Sequence, residues 1–307
     1  KLSEMFSALR LEAGHSKASI YRKVATRCLV LWILGMAAQG NLLQFKLSEL
    51  RLYINVLQAI ACGYLIAAMA VLHLRVSGQV LLTAGLLLGY WLVVMLVPVP
   101  GHAAGLLEPD LNLPRWLDEQ VLGRFRYPGT YTVLLNSGNS GANVLLGVFA
   151  GYLLRSGLLS AEKIRWLLVI AGGSFVLGWV WSHELLGAWR FPIIKHMYSS
   201  SMVLWAGGWC YFLMAVFYLV IDVLGLRRWA FPFAIIGANA IFAYLAVMLV
   251  GFRPIADRFV GGAARNLIAT GSEPLRLIGE LLGPLTGFGI LWLILWYFHR
   301  NKTFIRV

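Results

Sequence analysis

FPIIKHMYSSSMVLWAGGWCYFLMAVFYLVID, residues 191–222, decides the fold class. From Val203 to Ile221 no residue is charged, and about 19 residues rising about 1.5 Å each cross a hydrocarbon core about 30 Å thick. That is a membrane span. Just ahead of it lies a short run of polarity: Lys195, His196, Ser199 and Ser200. Pro192 suits a first helical turn, where its missing N–H costs nothing. The spacing then predicts one helix on which Lys195 stacks with Ser199 and His196 with Ser200, each four apart. Two readings of this polar gate stand together. The basic groups reach lipid headgroups while the serines pack against a neighbouring helix, or the four residues line a site, the default for ionisable groups at a membrane.

Composition extends the membrane reading to the whole chain. Of 307 residues 60% are hydrophobic and 13% charged, about half the charge of a soluble domain. The expected fold is all-α, a polytopic transmembrane helical bundle formed as a single domain over residues 1–307. The formal charge of +13 lies in loops between apolar spans, so membrane lipid, not nucleic acid, is its expected partner. Cys28, Cys62 and Cys210 fall in or beside spans and offer no disulfide framework and no metal-ligand spacing. No metal site is predicted.

Outward from the gate, about eight spans are expected: Val24 to Gln39, Leu52 to Leu72, Val80 to Val97, Ala142 to Leu154, Trp166 to Trp181, Ser201 to Leu224, Phe231 to Val250 and Leu282 to Phe298. Asn55 and Gln58 are polar residues within the second. Gly251 to Arg276 reads as a Gly-rich loop with a re-entrant or interfacial piece. Residues 98–140 form a long polar loop holding Glu108, Asp110, Asp118 and Glu119. Its Trp and Tyr content predicts an ordered cap at the interface, with Leu113 to Leu122 as a short helix. Lys1 to Arg27 carries about six basic residues against two acidic ones, which predicts a cytoplasmic start and, after about eight crossings, a cytoplasmic end. The long loop and the gate then share the outer face.

Soluble-enzyme motifs are absent: no phosphate-binding loop, no GxSxG, no HExxH. Glycine pairs 172–173 and 207–208 read as helix-packing positions. Asn239, an amide inside a span, either bonds a neighbouring helix or holds a ligand. Three histidines, His102, His183 and His196, titrate near neutrality and remain candidates for a general base. His183 with Glu184 is an acid/base pair only if the helix bends, since adjacent residues face different sides.

The order of several segments carries a resemblance. FPIIKHMYSSSMVL resembles the Phe-Pro-Ile-x-Lys-x-x-x-(Ser/Thr)-Ser-x-x-Val-Leu signature of the heparan-α-glucosaminide N-acetyltransferase-like membrane proteins, in particular their bacterial branch, the group labelled domain of unknown function 5009. YWLVVMLVPVPG followed by EPDLNL is similar to the family's helix ending in PVPG and its Glu-Pro-x-x-Asn-Leu loop. NVLLGVFAG, IIGANAIFAYL and LQAIACGYL resemble three further family helices, the last with Ala59 where Arg is usual. The resemblance implies a bacterial inner-membrane acyltransferase that passes an acetyl group from acetyl-CoA to an amino sugar or glycan acceptor across the membrane. It implies donor- or substrate-binding roles for Lys195, Ser199, Ser200, Asn239, Gln58, Glu108 and Asn112. The family's active-site histidine lies ahead of the first span read here and matches no histidine of this sequence, so either two further N-terminal helices are expected or the protein is not a competent transferase, and His183 and His196 are the weaker catalytic candidates. A homo-oligomer is compatible with such a bundle. The alternative from another class is a solute transporter, which would use the same polarity without chemistry and predicts inverted repeats; none is visible.

Overall fold

A computed structural model describes residues 17–305 of the chain. The described residues are almost wholly helical, as expected, with a two-stranded hairpin as the one paired sheet among them. They divide into two compact units, one within Lys1–Gly225 and one within Leu226–Val307.

The first unit contains α1 (Lys17–Gln39), α2 (Val56–His73), α3 (Val76–Leu96), the hairpin β1 (Leu107–Glu108) and β2 (Leu111–Asn112), α4 (Leu113–Leu122), α5 (Ser137–Arg155), α6 (Ser160–Ser182) and α7 (Ser200–Phe217), which continues as a π-helical turn over Tyr218–Val223. The polar residues read as lying inside the second span are its cap. Asn55 accepts from Leu57 N and Gln58 N while Gln58 Oε1 accepts from Asn55 N, so α2 starts four residues later than its apolar run implies. Helix α4 matches its predicted ends, set by Asn112 as N-cap and Pro114 in the first turn. Helix α2 crosses α5 closely at Gly63: a Cβ there would lie 2.6 Å from Ser140 O. Fully buried Leu145 of α5 packs on Ala67 and Ala70 of α2, and fully buried Ala142 packs on Leu87 of α3 and Val203 of α7.

The second unit contains α8 (Phe231–Ala238), α9 (Ala240–Val250), α10 (Phe252–Thr270) and α11 (Glu273–Arg300). Two expectations are corrected here. The seventh span breaks at Asn239 with a 67° bend, and the supposed loop of residues 251–276 is mostly the 19-residue helix α10. Its polar and apolar residues alternate at helical period, which the glycine pair 261–262 obscures in the sequence. Helix α10 packs antiparallel on the first half of α11, where Gly279 lets Ala264 O come within 2.9 Å of the missing Cβ.

Among the described residues, five helices are long and apolar enough to cross a membrane: α2, α3, α6, α7 with its π-turn, and α11; the count is six if the bent pair is one span. Helix α1 carries Lys17, Arg22, Lys23 and Arg27 in its first half, and α5 opens with Ser-Gly-Asn-Ser, so neither joins that group.

Candidate functional site

The gate is not a helix. Residues 191–199 are irregular, and α7 begins at Ser200 with Ser199 as N-cap. The predicted stacking of Lys195 on Ser199 and His196 on Ser200 is therefore overturned. The cause is the serine triplet, whose hydroxyls compete with helical hydrogen bonds for nearby backbone groups. Ser199 Oγ donates to Pro192 O (2.8 Å) and accepts from Ile194 N (3.0 Å) and Met202 N (3.4 Å). Ser201 Oγ also donates to Pro192 O, at 2.9 Å. The chain is thus folded back on the start of its own helix, with Tyr198 at φ 50°, a left-handed conformation unusual for an aromatic residue.

Three consecutive gate carbonyls are then each taken by a different element. His196 O accepts from Thr132 N (3.0 Å) of the long loop, Met197 O from Tyr90 OH (2.6 Å) of α3, and Tyr198 O from Asn139 Nδ2 (2.7 Å) of α5. Ser200 Oγ donates to Leu87 O of α3 at 2.7 Å. A fourth element joins through Phe191 N, which donates to Trp181 O of α6 at 2.7 Å. Asn139 is fully buried, and its Oδ1 has no hydrogen-bond partner among the described residues. Long loop and gate do meet at one end of the bundle, as the charge pattern predicted.

The loop's acids are mostly spoken for. Asp118 is buried and accepts from Val133 N (2.8 Å) and Leu134 N (3.0 Å), fixing the irregular segment that carries Thr132. Burial pushes its carboxyl above the usual range, against those two amide bonds. Arg115 pairs with Asp110 and Glu119, and Arg126 with Glu119.

Most predicted site residues hold backbone in place. Ser199 and Ser200 are fully buried and bonded as above. Gln58 caps α2, with Nε2 donating to Leu52 O. Asn112 caps α4 and donates to Glu108 O and Pro109 O, closing the hairpin, while the Glu108 side chain is exposed. Asn239 sits in the break between α8 and α9; its Nδ2 donates to Thr303 O (3.2 Å) and its Oδ1 accepts from Ile305 N (2.8 Å). His183 is no acid/base partner of Glu184. Its Nδ1 accepts from Leu185 N and its ring lies 4.5 Å from that of Trp179, whereas Glu184 pairs with Arg190 at 3.0 Å. Lys195 is exposed, and half-buried His196 packs 4.7 Å from the Tyr131 ring. These two are the gate's solvent-reaching polar side chains. Tyr90, Thr132 and Asn139 were not singled out from sequence. The one available signal was the polar cluster NSGNS leading into an apolar helix.

No protein-family model and no curated protein matches this chain.

Proposed function

We propose that this protein is an integral membrane acyltransferase of the heparan-α-glucosaminide N-acetyltransferase type, moving an acetyl group from acetyl-CoA to an amino sugar across a bacterial inner membrane. The observation that carries the reading is the meeting of separate family-like segments: Tyr90 of YWLVVMLVPVPG bonds the FPIIKHMYSSS gate, and the cap that follows EPDLNL bonds it through Thr132. A capped, rigid polar end is what an enzyme needs to orient an acceptor. Lys195 and His196 are assigned to hold that acceptor's hydroxyls or carboxylate. The resemblance puts the base on a histidine outside the matched segments, so this gate is given positioning rather than proton transfer.

The same reading takes eight crossings with both termini cytoplasmic. Helices α1 and α5, about 34 and 28 Å long at about 1.5 Å per residue, both pack on α2. With α3, α6, α7, the bent pair and α11 they make the eight.

The test supplies vesicles containing the full-length protein with radiolabelled acetyl-CoA on the cytoplasmic face and glucosamine on the other. Acetylated sugar appearing on the far face is expected; no transfer to any of several amino sugars overturns the reading. One observation favours a solute transporter instead: discontinuous helices such as α8–α9 mark transporter sites. Uptake of a labelled solute without acetylation would select it.

A further inference from the structure

The second unit holds a cleft of its own. Helix α10 and the first half of α11 border a cavity of about 360 Å³, at the small end of ligand sites. Arg253, Asp257, Gly261 and Arg265 line it from α10, recurring every four residues along one face. Gly279, Glu280, Gly283 and Pro284 line it from α11. The glycines keep it open while the helices stay close. A Cβ at Gly283 would lie 3.0 Å from Asp257 Oδ1, so that glycine leaves the carboxylate room to reach across to α11.

Two cations and two anions share this cleft without neutralising each other. Among the described residues the ion pairs all lie elsewhere, and Arg253, Asp257, Arg265 and Glu280 belong to none of them. Arg265 Nε donates to Gly261 O at 3.2 Å, which turns the guanidinium back along α10 and leaves its other N–H groups to the cleft. Pro284 has no N–H to give to Glu280 O, four residues earlier, so that carbonyl lacks its usual helical partner beside the Glu280 carboxylate. A lone anion or cation here would sit beside like charge as well as opposite charge. The complementary ligand carries both signs.

The level of the cleft selects the zwitterion. Glu280 is the last charged residue before the uncharged, apolar run of residues 281–298, the membrane-crossing part of α11, so the cleft lies where that span leaves the hydrocarbon core. Exposed Leu281, Leu285 and Phe288 continue from it along the span.

We propose that the cleft binds an aminoethyl phosphate group, carried by phosphatidylethanolamine as its headgroup or free as phosphoethanolamine, with the ammonium between Asp257 and Glu280 and the phosphate on Arg265. The three N–H donors of an ammonium suit two carboxylates and the Glu280 carbonyl, and a guanidinium fork suits phosphate oxygens. Arg253, one turn before Asp257, balances the second carboxylate. In the lipid form the acyl chains run along Leu281, Leu285 and Phe288. None of the residues assigned to the sugar acceptor lines the cleft, so the inference is independent of the acyltransferase reading.

The experiment places the full-length protein in nanodiscs of mixed phosphatidylethanolamine, phosphatidylcholine and phosphatidylglycerol and reads retained lipid by native mass spectrometry. A parallel calorimetric titration adds free phosphoethanolamine to the protein in detergent. Retention of phosphatidylethanolamine over both other lipids is expected, since phosphatidylcholine lacks the N–H donors and phosphatidylglycerol lacks the cation. Asp257→Asn and Arg265→Gln, both at exposed positions, should each weaken binding about fivefold with the melting temperature unchanged; if either lowers it, Glu280→Gln reads the same ammonium contact. Binding of free phosphoethanolamine, weakened by the same variants and with no preference among the lipids, supports the cleft and assigns it the free compound. Retention of phosphatidylcholine or phosphatidylglycerol equal to phosphatidylethanolamine, with no binding of the free compound, overturns the zwitterion assignment. Wild-type binding in all the variants overturns the cleft, and binding of neither source overturns the proposal as a whole.

Discussion

Helices α3, α5, α6 and α7 make a hydrogen-bonded knot at one end and an apolar furrow along one flank, and the two follow opposite rules. At the knot almost every polar group is spent on backbone: the irregular carbonyls 196, 197 and 198 and Pro192 O, and the helical carbonyl of Leu87. The furrow has little polarity, and its tyrosines and threonine bond within the wall. The lesson concerns what polarity at a membrane signifies. An ionisable or hydroxyl side chain near lipid is by default a candidate site. Unwound backbone at that depth has a prior demand, because each unpaired N–H or C=O costs several kcal/mol away from water. In this part of the protein the serines answer the backbone, and the open surface that remains is the apolar one.

The sharpest way to break this contrast is Asn139→Asp. The bonds that Asn139 Nδ2 donates to Tyr198 O (2.7 Å) and Ser200 Oγ (3.3 Å) would be lost, and a carboxylate would be buried in their place. A loss of about 3 kcal/mol or more is expected, read as a fall in the thermal midpoint in detergent; an unchanged midpoint would mean the knot is not a structural element. Ser200→Val should cost less, about 1–2 kcal/mol, because it removes the bond donated to Leu87 O and the longer one accepted from Asn139 Nδ2 but leaves Asn139 bonded to Tyr198 O, and the same midpoint measures it.

A smaller effect concerns pH. Asp118 has its carboxyl raised by burial above the ordinary value of 3.8, so the folded cap binds its proton more tightly than the unfolded chain does. Its contribution therefore becomes more favourable as pH falls through the raised folded value, and stops changing below about 4, where both states are protonated. Hydrogen exchange at Val133 and Leu134 should slow over that window in the wild type relative to Asp118→Asn. If the difference between the two proteins is flat with pH, the carboxyl is not burial-shifted. The smallest stability change is predicted for Lys195→Ala. Exposed and outside the knot, it should move the midpoint by no more than about 0.5 kcal/mol while raising KM for the acceptor. A large drop in midpoint would return Lys195 to the structural group.

The helices were legible because apolar length is a strong signal: the ends of α4 match their predicted residues, and the long apolar runs lie within helices. The gate was misread because the i, i+4 spacing of Lys195 with Ser199 and of His196 with Ser200 is equally compatible with hydroxyls that cap a helix and hydroxyls that ride on one. Sequence spacing cannot separate the two without the distant partners Tyr90, Thr132 and Asn139. The break at Asn239 was hidden for a related reason. Its amide is satisfied by residues 303 and 305, more than 60 positions away, and no local pattern announces that tie. The furrow and the α10–α11 cleft were illegible as well, being defined by where side chains stop short of each other.

The three bonds to the gate carbonyls also set an order of events. Tyr90, Thr132 and Asn139 all precede the gate in the chain, the nearest by 59 positions. At about 5–20 residues per second, roughly three to twelve seconds of synthesis separate Asn139 from the carbonyl it will bond. Through that interval a buried amide, a phenol and a loop N–H wait for acceptors that do not yet exist, and water or the insertion machinery must hold them. The gate end of the first unit is therefore sealed late, and a ribosome stalled before Tyr198 would leave this end of the bundle open.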